Sequence, residues 1–273
     1  MKPAEFGYER PESLEAARAI LKSDGEAVPL AGGQSLVPMM NFRLARPSVV
    51  VDLSGIVELG GISEEEGRLK VGAMTTFAKL AGSDHSTKVP LIAKALPTIA
   101  HPAIRNRGTL GGSLALADPA AEMPAVALVL EARMHVTGSD GIHDVEATDW
   151  FLGAYETALE PGELLVSASF PLAGESDAFG FHEIARRHGD YAMAGAAVAR
   201  VGGEMRVAVF GVRDGAQRVP AAEVVLERDG SDLGGAADAL DEVEVSGDFN
   251  GDEATKRHLA RVALKRALEE MGE

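Results

Sequence analysis

Two short stretches of this sequence share one combination: adjacent glycines with small hydroxyl residues close by. Ala31-Gly32-Gly33-Gln34-Ser35-Leu36 follows a short apolar run, and Thr109-Leu110-Gly111-Gly112-Ser113 lies further along the chain. Glycines bare consecutive backbone N–H groups, and a row of these can cradle an anion without any lysine. Ser35, Thr109 and Ser113 can add hydroxyl hydrogen bonds to the same oxygens. The plain alternative is a pair of turns, because Gly60-Gly61, Gly202-Gly203 and Gly234-Gly235 also occur here. Arg105 and Arg107 precede the second stretch and are readable as phosphate partners or as surface charges. Asp118 stands before Pro119. An Asp there starts a turn or accepts hydrogen bonds from sugar hydroxyls.

Other chemistries lack their residues. Neither G-x-G-x-x-G nor G-x-x-x-x-G-K-[ST] occurs, which disfavours a Rossmann dinucleotide site and a P-loop. His182-Glu183 opens as a zinc motif would, but Arg186 stands where the second histidine is required. Asp248, Asn250 and Asp252 alternate as in a calcium loop, yet Glu253 and Leu259 occupy the positions that need Gly and Glu. No G-x-S-x-G elbow supports a hydrolase. The chain has no cysteine. It therefore cannot hold an iron–sulfur cluster through thiolates or carry a thiol nucleophile, and a reducing compartment is expected. A net charge of −16 makes nucleic acid a poor partner. The N-terminal stretch lacks the apolar core of a signal peptide and no apolar run of membrane-spanning length appears, so a cytoplasmic location is expected.

The elements that must position these residues are legible in outline. At 273 residues and 46% hydrophobic, the chain has room for two domains. Ser13 is a candidate N-cap for a helix with Leu14, Ala17 and Leu21 on one stripe. Residues 27–30 and 48–53 read as short buried strands, so the first 55 residues form a small α/β unit. A strand is expected at 68–75, with helices at 76–83 and 90–100. Residues 105–124 read as a long irregular loop, a kind usually retained for function. Residues 171–177 read as a boundary. Three strand-like runs follow, at 178–186, 192–201 and 204–213, and then a weak helix near 232–242. A strong helix at 252–271 places Leu259, Val262, Ala263, Ala267 and Met271 on one side. Residues 227–253, rich in Gly and Asp, are expected at the surface.

Taken in order, 31–47, 101–125, 162–171 and 185–198 resemble the FAD-binding medium subunit of the molybdenum hydroxylases, which include carbon monoxide dehydrogenase and the flavin portion of xanthine dehydrogenase. The resemblance runs essentially end to end. It implies an α+β chain: a two-subdomain FAD-binding fold of the vanillyl-alcohol-oxidase (PCMH) type over 1–173 (subdomains about 1–55 and 56–173), then a C-terminal domain over 174–273 with a three-stranded antiparallel sheet and helices. It also implies roles. Ala31, Gly32, Gly33, Gln34, Ser35 and Leu36 would face Thr109, Leu110, Gly111, Gly112 and Ser113 across the FAD diphosphate. Asp118 would lie toward the ribose and ribityl part. Ile99, Leu165 and His182 match positions that contact the cofactor, and Tyr191 matches the one packed on the isoalloxazine ring. Relatives often carry His where Gln34 stands. Glutamine cannot carry a covalent flavin link, so non-covalent FAD is expected.

The same resemblance assigns no catalytic residue and no metal to this chain. The primary substrate would be oxidised on a large molybdopterin subunit, and electrons would reach FAD through [2Fe–2S] clusters on a small subunit. The final acceptor would be NAD, a quinone or oxygen. The missing cysteines agree with clusters held elsewhere. Two other readings compete: a stand-alone FAD oxidase or dehydrogenase, and an assembly module that has lost its flavin. A cofactor titration separates the last of these from the rest.

Overall fold

The computed structural model describes residues 2–138 and 141–272. Strand β1 (Gly7–Glu9) leads into α1 (Leu14–Ser23), where the Ser13 hydroxyl accepts from the Ala16 N–H at 3.2 Å as the expected N-cap. Ala17 and Leu21 bury that helix's apolar stripe. Strand β2 (Val28–Leu30), helix α2 (Leu36–Asn41) and β3 (Val49–Asp52) follow, and the three strands form a parallel sheet in the order β1-β3-β2.

A second, antiparallel sheet is built from β4 (Ile62–Glu65) and β5 (Arg68–Gly72), then β6 (Arg133–Gly138) and β7 (Gly141–Glu146). Between β5 and β6 run α3 (Phe77–Ala81), α4 (Pro90–Ala95), α5 (Pro102–Arg105), α6 (Leu110–Leu116) and α7 (Glu122–Val129). After α8 (Ala147–Trp150) and the small hairpin of β8 (Phe151–Gly153) and β9 (Glu156–Thr157), β10 (Leu164–Pro171) returns to the centre. The sheet order is β4-β5-β10-β6-β7.

The stretch expected as an irregular loop thus contains α6 and the start of α7. Paired glycines weaken a helix, but Leu110 and Leu114 are fully buried and Thr109 caps the helix, its hydroxyl accepting from the Gly112 N–H at 3.0 Å. Tertiary burial outweighs propensity there. Helix α7 is buried on every side, as its uniformly apolar sequence after Glu122 requires.

The C-terminal part comprises β11 (Ala178–Ile184), β12 (Ala194–Val201), β13 (Glu204–Phe210) and β14 (Gln217–Arg218), then α9 (Pro220–Arg228), α10 (Leu233–Asp238) and α11 (Glu253–Gly272). Three long strands appear as expected, and the two-residue β14 adds a fourth on the edge, in the order β11-β12-β13-β14. Alternation along these strands divides the core. Phe179, Phe181, Ala197, Ala199, Ala208 and Phe210 join the first hydrophobic core with α4 and α7. Ala196, Val198, Val207 and Val209 join a second core under α9, α10 and α11.

The face α11 buries shares Ala263 and Ala267 with the expected one and is shifted around the helix from the rest. Ala260, Ala263, Leu264, Ala267 and Leu268 are buried, with Lys256, whereas Leu259, Val262 and Met271 are only partly covered. The small alanines let the helix press onto β11 so closely that a Cβ on Gly180 would lie 1.7 Å from the Ala267 carbonyl oxygen. The region 227–253 is largely exposed, as expected, though Ala236, Ala237 and Leu240 are buried.

Candidate functional site

Residues 31–36 connect β2 to α2, and the structure packs them directly on the second glycine stretch. A Cβ on Gly32 would sit 2.1 Å from the Arg107 carbonyl oxygen and 2.9 Å from the Gly108 Cα, so only glycine permits this approach. A Cβ on Gly112 would lie 3.3 Å from the Ala31 Cβ, and one on Gly111 would lie 2.4 Å from the Ala73 Cβ. Gly33 has a φ of +73°, which reverses the chain into α2.

The two loops are not equivalent. The N–H groups of Leu110 and Gly111 donate to the Thr75 and Ala73 carbonyls at 3.0 and 2.9 Å, and Ser113 N–H donates to Thr109 O at 3.1 Å. With Gly112 bonded to the Thr109 side chain, the second loop has no row of open amides. The N–H groups of Gly32 to Leu36, in contrast, have no partner among the described residues. The hydroxyls of Ser35 and Ser113 are likewise without a hydrogen-bond partner among the described residues. The anion-holding capacity therefore lies in the first loop, with the second as its wall. Gln34 turns its amide back to donate to Gly32 O at 2.9 Å.

Arg105 takes neither role left open for it. Its guanidinium donates to the carbonyls of Pro97, Ile99 and Ala100 at 3.3, 2.8 and 2.8 Å, which pins the segment bearing Ile99. The turn at Gly189, with φ +86°, packs against that same segment: a Cβ there would lie 2.7 Å from the His101 ring and 2.9 Å from Ala100 O.

Helix α6 carries the chain from the glycine loops to Asp118. Seven residues at about 1.5 Å each make a separation of about 10 Å. Ala117, in left-handed conformation at φ 51°, ends the helix and turns Asp118 out of it. One Asp118 oxygen accepts from Ala120 N–H at 2.9 Å and the other from the Tyr155 hydroxyl at 3.4 Å. Burial raises the Asp118 carboxyl. Partial desolvation by nearby protein atoms and then the Asp118 charge raise the phenols of both Tyr155 and Tyr191, though both side chains stay largely exposed, and the Glu122 charge also raises Tyr191. Glu122, 8% exposed at the first position of α7, is held up to about 7 by burial, with the Asp118 charge adding. Glu183 is pushed up to about 8 by burial and by the Glu122 charge, and its Oε2 is buried without a partner. Asp118, Glu122, Glu183, Tyr155 and Tyr191 thus form one electrostatically coupled group, connected to the glycine loops by α6. Those surroundings disfavour anions and suit a neutral polar ring.

Ile99 and Leu165 are both buried in the first core, at 7 and 5% exposure. Leu165 precedes an irregularity in the β10 register against β6, and the neighbouring Val166 carbonyl accepts from Ala73 N–H at 2.8 Å beneath Gly111. Tyr191 is exposed on the loop between β11 and β12. His182 stands apart from these residues. It lies on the opposite face of β11 from Glu183, its Nδ1 3.2 Å from the Glu270 carboxylate and its Nε2 3.2 Å from Arg266 on α11. Sequence reasoning passed over Glu122, Glu183 and Tyr155. A signal existed for Glu183: it is one residue from His182, and one step along a strand changes the face. Among the described residues no cluster of His, Asp and Glu is arranged to hold a metal.

A sequence model of the FAD binding domain in molybdopterin dehydrogenase matches residues 4–173. The chain belongs to this FAD-binding family. The family's members among characterised proteins include the carbon monoxide dehydrogenase medium chain of Afipia carboxidovorans, 39% identical over 98% of this chain and 97% of that one. The nicotine 6-hydroxylase medium subunit of Paenarthrobacter nicotinovorans is 38% identical over 100% of this chain and 99% of its own length. Among solved structures, the carbon monoxide dehydrogenase of Hydrogenophaga pseudoflava has a chain that superimposes with a TM-score of 0.95 at 37% identity, covering 100% of this chain and 99% of that chain. A chain of quinoline 2-oxidoreductase from Pseudomonas putida 86 gives 0.92 at 38% identity, covering 99 and 98%. The fold is thus that of the carbon monoxide dehydrogenase medium chains, and the relatives are subunits of oxidoreductases. For an FAD-binding member, the open amides, the unbonded Ser35 and Ser113 hydroxyls and the orphaned Glu183 oxygen all fit the cofactor's diphosphate and polar ring.

Proposed function

We propose that this chain is the flavin subunit of a molybdenum hydroxylase complex and holds FAD non-covalently. The observation that carries the proposal is the run of open amides from Gly32 to Leu36, pressed against the backbone at Arg107–Gly108. In this reading those amides and the Ser35, Thr109 and Ser113 hydroxyls hold the diphosphate. Asp118 receives the ribityl hydroxyls. Ile99 and Leu165 supply apolar contact, and Tyr191 covers the ring. Glu183, mostly protonated at neutral pH, and Glu122, about half protonated there, disfavour negative charge at the ring's end and offer O–H donors to it. FAD, when bound, supplies the redox step, taking up electrons and passing them on. The chain's residues orient it and tune its surroundings.

The partners in this reading are a large molybdopterin subunit and a small [2Fe–2S] subunit, and FAD passes electrons from the clusters to NAD, a quinone or oxygen. The absence of cysteine and the medium-subunit names of full-length relatives support that division. The FAD-binding domain spans 1–173 and the C-terminal domain 174–273. Among the described residues no helix is long and apolar enough to cross a membrane, and the cysteine-free sequence supports a cytoplasmic location.

Acid denaturation of the cofactor-loaded chain is expected to release free FAD into the supernatant, with absorbance near 450 nm. Apoprotein that shows no saturable uptake of FAD would overturn the proposal. Flavin that stays with the precipitated protein would overturn its non-covalent part.

A further inference from the structure

The N–H donors of Lys256, in the first turn of α11, are directed entirely at the segment that carries Tyr191, at the end of β13 that bonds to the Asp118 turn, and at one carboxylate. Lys256 is 1% exposed. Its ammonium donates to Met193 O at 2.8 Å and Gly211 O at 2.7 Å, and pairs with Asp248 Oδ2 at 2.7 Å. Three donors meet three acceptors, the full complement of an ammonium.

The two carbonyls belong to segments bonded to the Tyr191 loop and the Asp118 turn. Met193 lies two residues beyond Tyr191, and its N–H donates to Ile184 O at 2.8 Å, closing the loop that carries the tyrosine back onto β11. Gly211, at φ +74°, ends β13, and its N–H donates to Pro119 O at 2.8 Å, directly after Asp118. A Cβ on Gly211 would lie 3.0 Å from Ala192 O, so the two segments also touch. The Tyr191 side chain itself is 66% exposed, and its position therefore depends on where its backbone is held. One buried ammonium fixes that backbone and, through Gly211, the turn bearing Asp118.

We propose that Lys256 is a positioning residue for the flavin: it locks the Tyr191 loop and the Asp118 turn into one unit, so both meet the cofactor together. The inference rests on the reading above in which Tyr191 covers the ring. It goes beyond that reading by giving the C-terminal helix a part in holding the cofactor.

The test uses the full-length apoprotein titrated with FAD, following both affinity and the emission of the bound flavin, which a stacked tyrosine quenches. Four proteins are compared: wild type, Lys256→Met, Tyr191→Ala and the double variant. Lys256→Met keeps the side chain's length and apolar stem but removes every donor. Each single variant is expected to weaken FAD binding about tenfold and to raise bound-flavin emission. The double variant should bind no worse than Tyr191→Ala by more than about twofold, because the lysine acts through the tyrosine. If Tyr191→Ala changes neither affinity nor emission, the reading of Tyr191 fails and the inference falls with it. If Tyr191→Ala has its effect but Lys256→Met quenches like wild type, the inference alone is overturned. Additive losses in the double variant overturn it as well, since Lys256 would then serve only general stability. Should Lys256→Met not fold, Lys256→Ala decides: it removes the same donors to the Met193 and Gly211 carbonyls and leaves room for water to solvate them, and emission that stays at the wild-type level refutes the inference.

Discussion

Replacing Glu122 by glutamine removes one titrating group from the acidic cluster around Asp118 while keeping its shape. Two effects compete at this position. A carboxylate in the first turn of a helix is ordinarily favoured by the N-terminal dipole, which would lower its pKa. Burial opposes the charged form. Burial wins here, with the Asp118 charge helping it, and the carboxyl titrates at about 7 instead of 4.5. Between those values the folded chain holds a proton that the unfolded chain has released, so raising the pH favours unfolding. The penalty is absent below the unfolded value of 4.5, grows through 7 and is constant above it. Integrated from pH 5.5 to 8.5, it amounts to about 2 kcal/mol lost by the wild-type apoprotein.

Glu122→Gln should lack this loss. Its stability should fall less over the same pH interval, by about 2 kcal/mol. Glu183, itself raised to about 8, contributes a slope of the same sign in both proteins, somewhat reduced in the variant because the Glu122 charge is gone. Urea unfolding at fixed ionic strength measures the difference, with the fluorescence of the fully buried Trp150, the only tryptophan in the chain, as the signal. Equal m-values in the two proteins are needed for the comparison to hold. Two proteins with the same pH slope, or a wild type that gains stability relative to the variant as pH rises, would refute the claim that burial outweighs the helix dipole.

Three further outcomes are expected. Gly32→Ala places a Cβ where the Arg107 carbonyl oxygen is only 2.1 Å away, so the loops must part. FAD affinity should fall at least about tenfold and apoprotein stability by about 1–3 kcal/mol, and unchanged affinity in a titration would show that the loop contact does not shape the site. Asp118→Asn removes the charge that, after partial desolvation, raises Tyr155 and Tyr191. Their ionisation, followed by absorbance near 295 nm, should move to lower pH, and a titration superimposable on wild type would contradict the grouping of these side chains. Gly180→Ala drives a Cβ to 1.7 Å from the Ala267 carbonyl oxygen, so α11 must lift from β11. A loss of about 1–3 kcal/mol or more is expected by thermal melting, and a loss near zero would mean the approach is not tight.

Much of the fold was legible because local signals and burial agree. Ser13 caps α1 where its spacing to the apolar stripe predicts, and the three long C-terminal strands alternate small and branched residues facing two cores. The glycine loops were legible as a pair, but not their division of labour. Gly111-Gly112 suggests a second row of open amides, yet Thr75, Ala73 and Thr109 consume those donors. Which amides stay open depends on the carbonyls the fold brings near, and no local pattern reports them. The same holds for α6, where Leu110 and Leu114 win against two glycines only because the sheet covers them.

The acid-lined half of the site was illegible for a different reason: its properties are created by burial, and its residues are ordinary in type. His182 drew attention as the rarer, titratable side chain, but along β11 it faces Glu270 and Arg266 of α11, while Glu183, one position on, lies on the other face within reach of the Glu122 charge. Strand alternation limits the choice to one of two neighbours, and only the layer packed on each face decides which. Lys256 is the same problem in a helix. In the run Lys256-Arg257-His258 it reads as a solvated charge, and a face chosen by apolar content passes it over. What makes it structural is the pair of carbonyls at Met193 and Gly211, brought together by a loop and a strand end far away in sequence. A buried lysine with every donor satisfied is costly to misplace. The residues it holds are therefore positioned more firmly than the surface exposure of Tyr191 alone suggests.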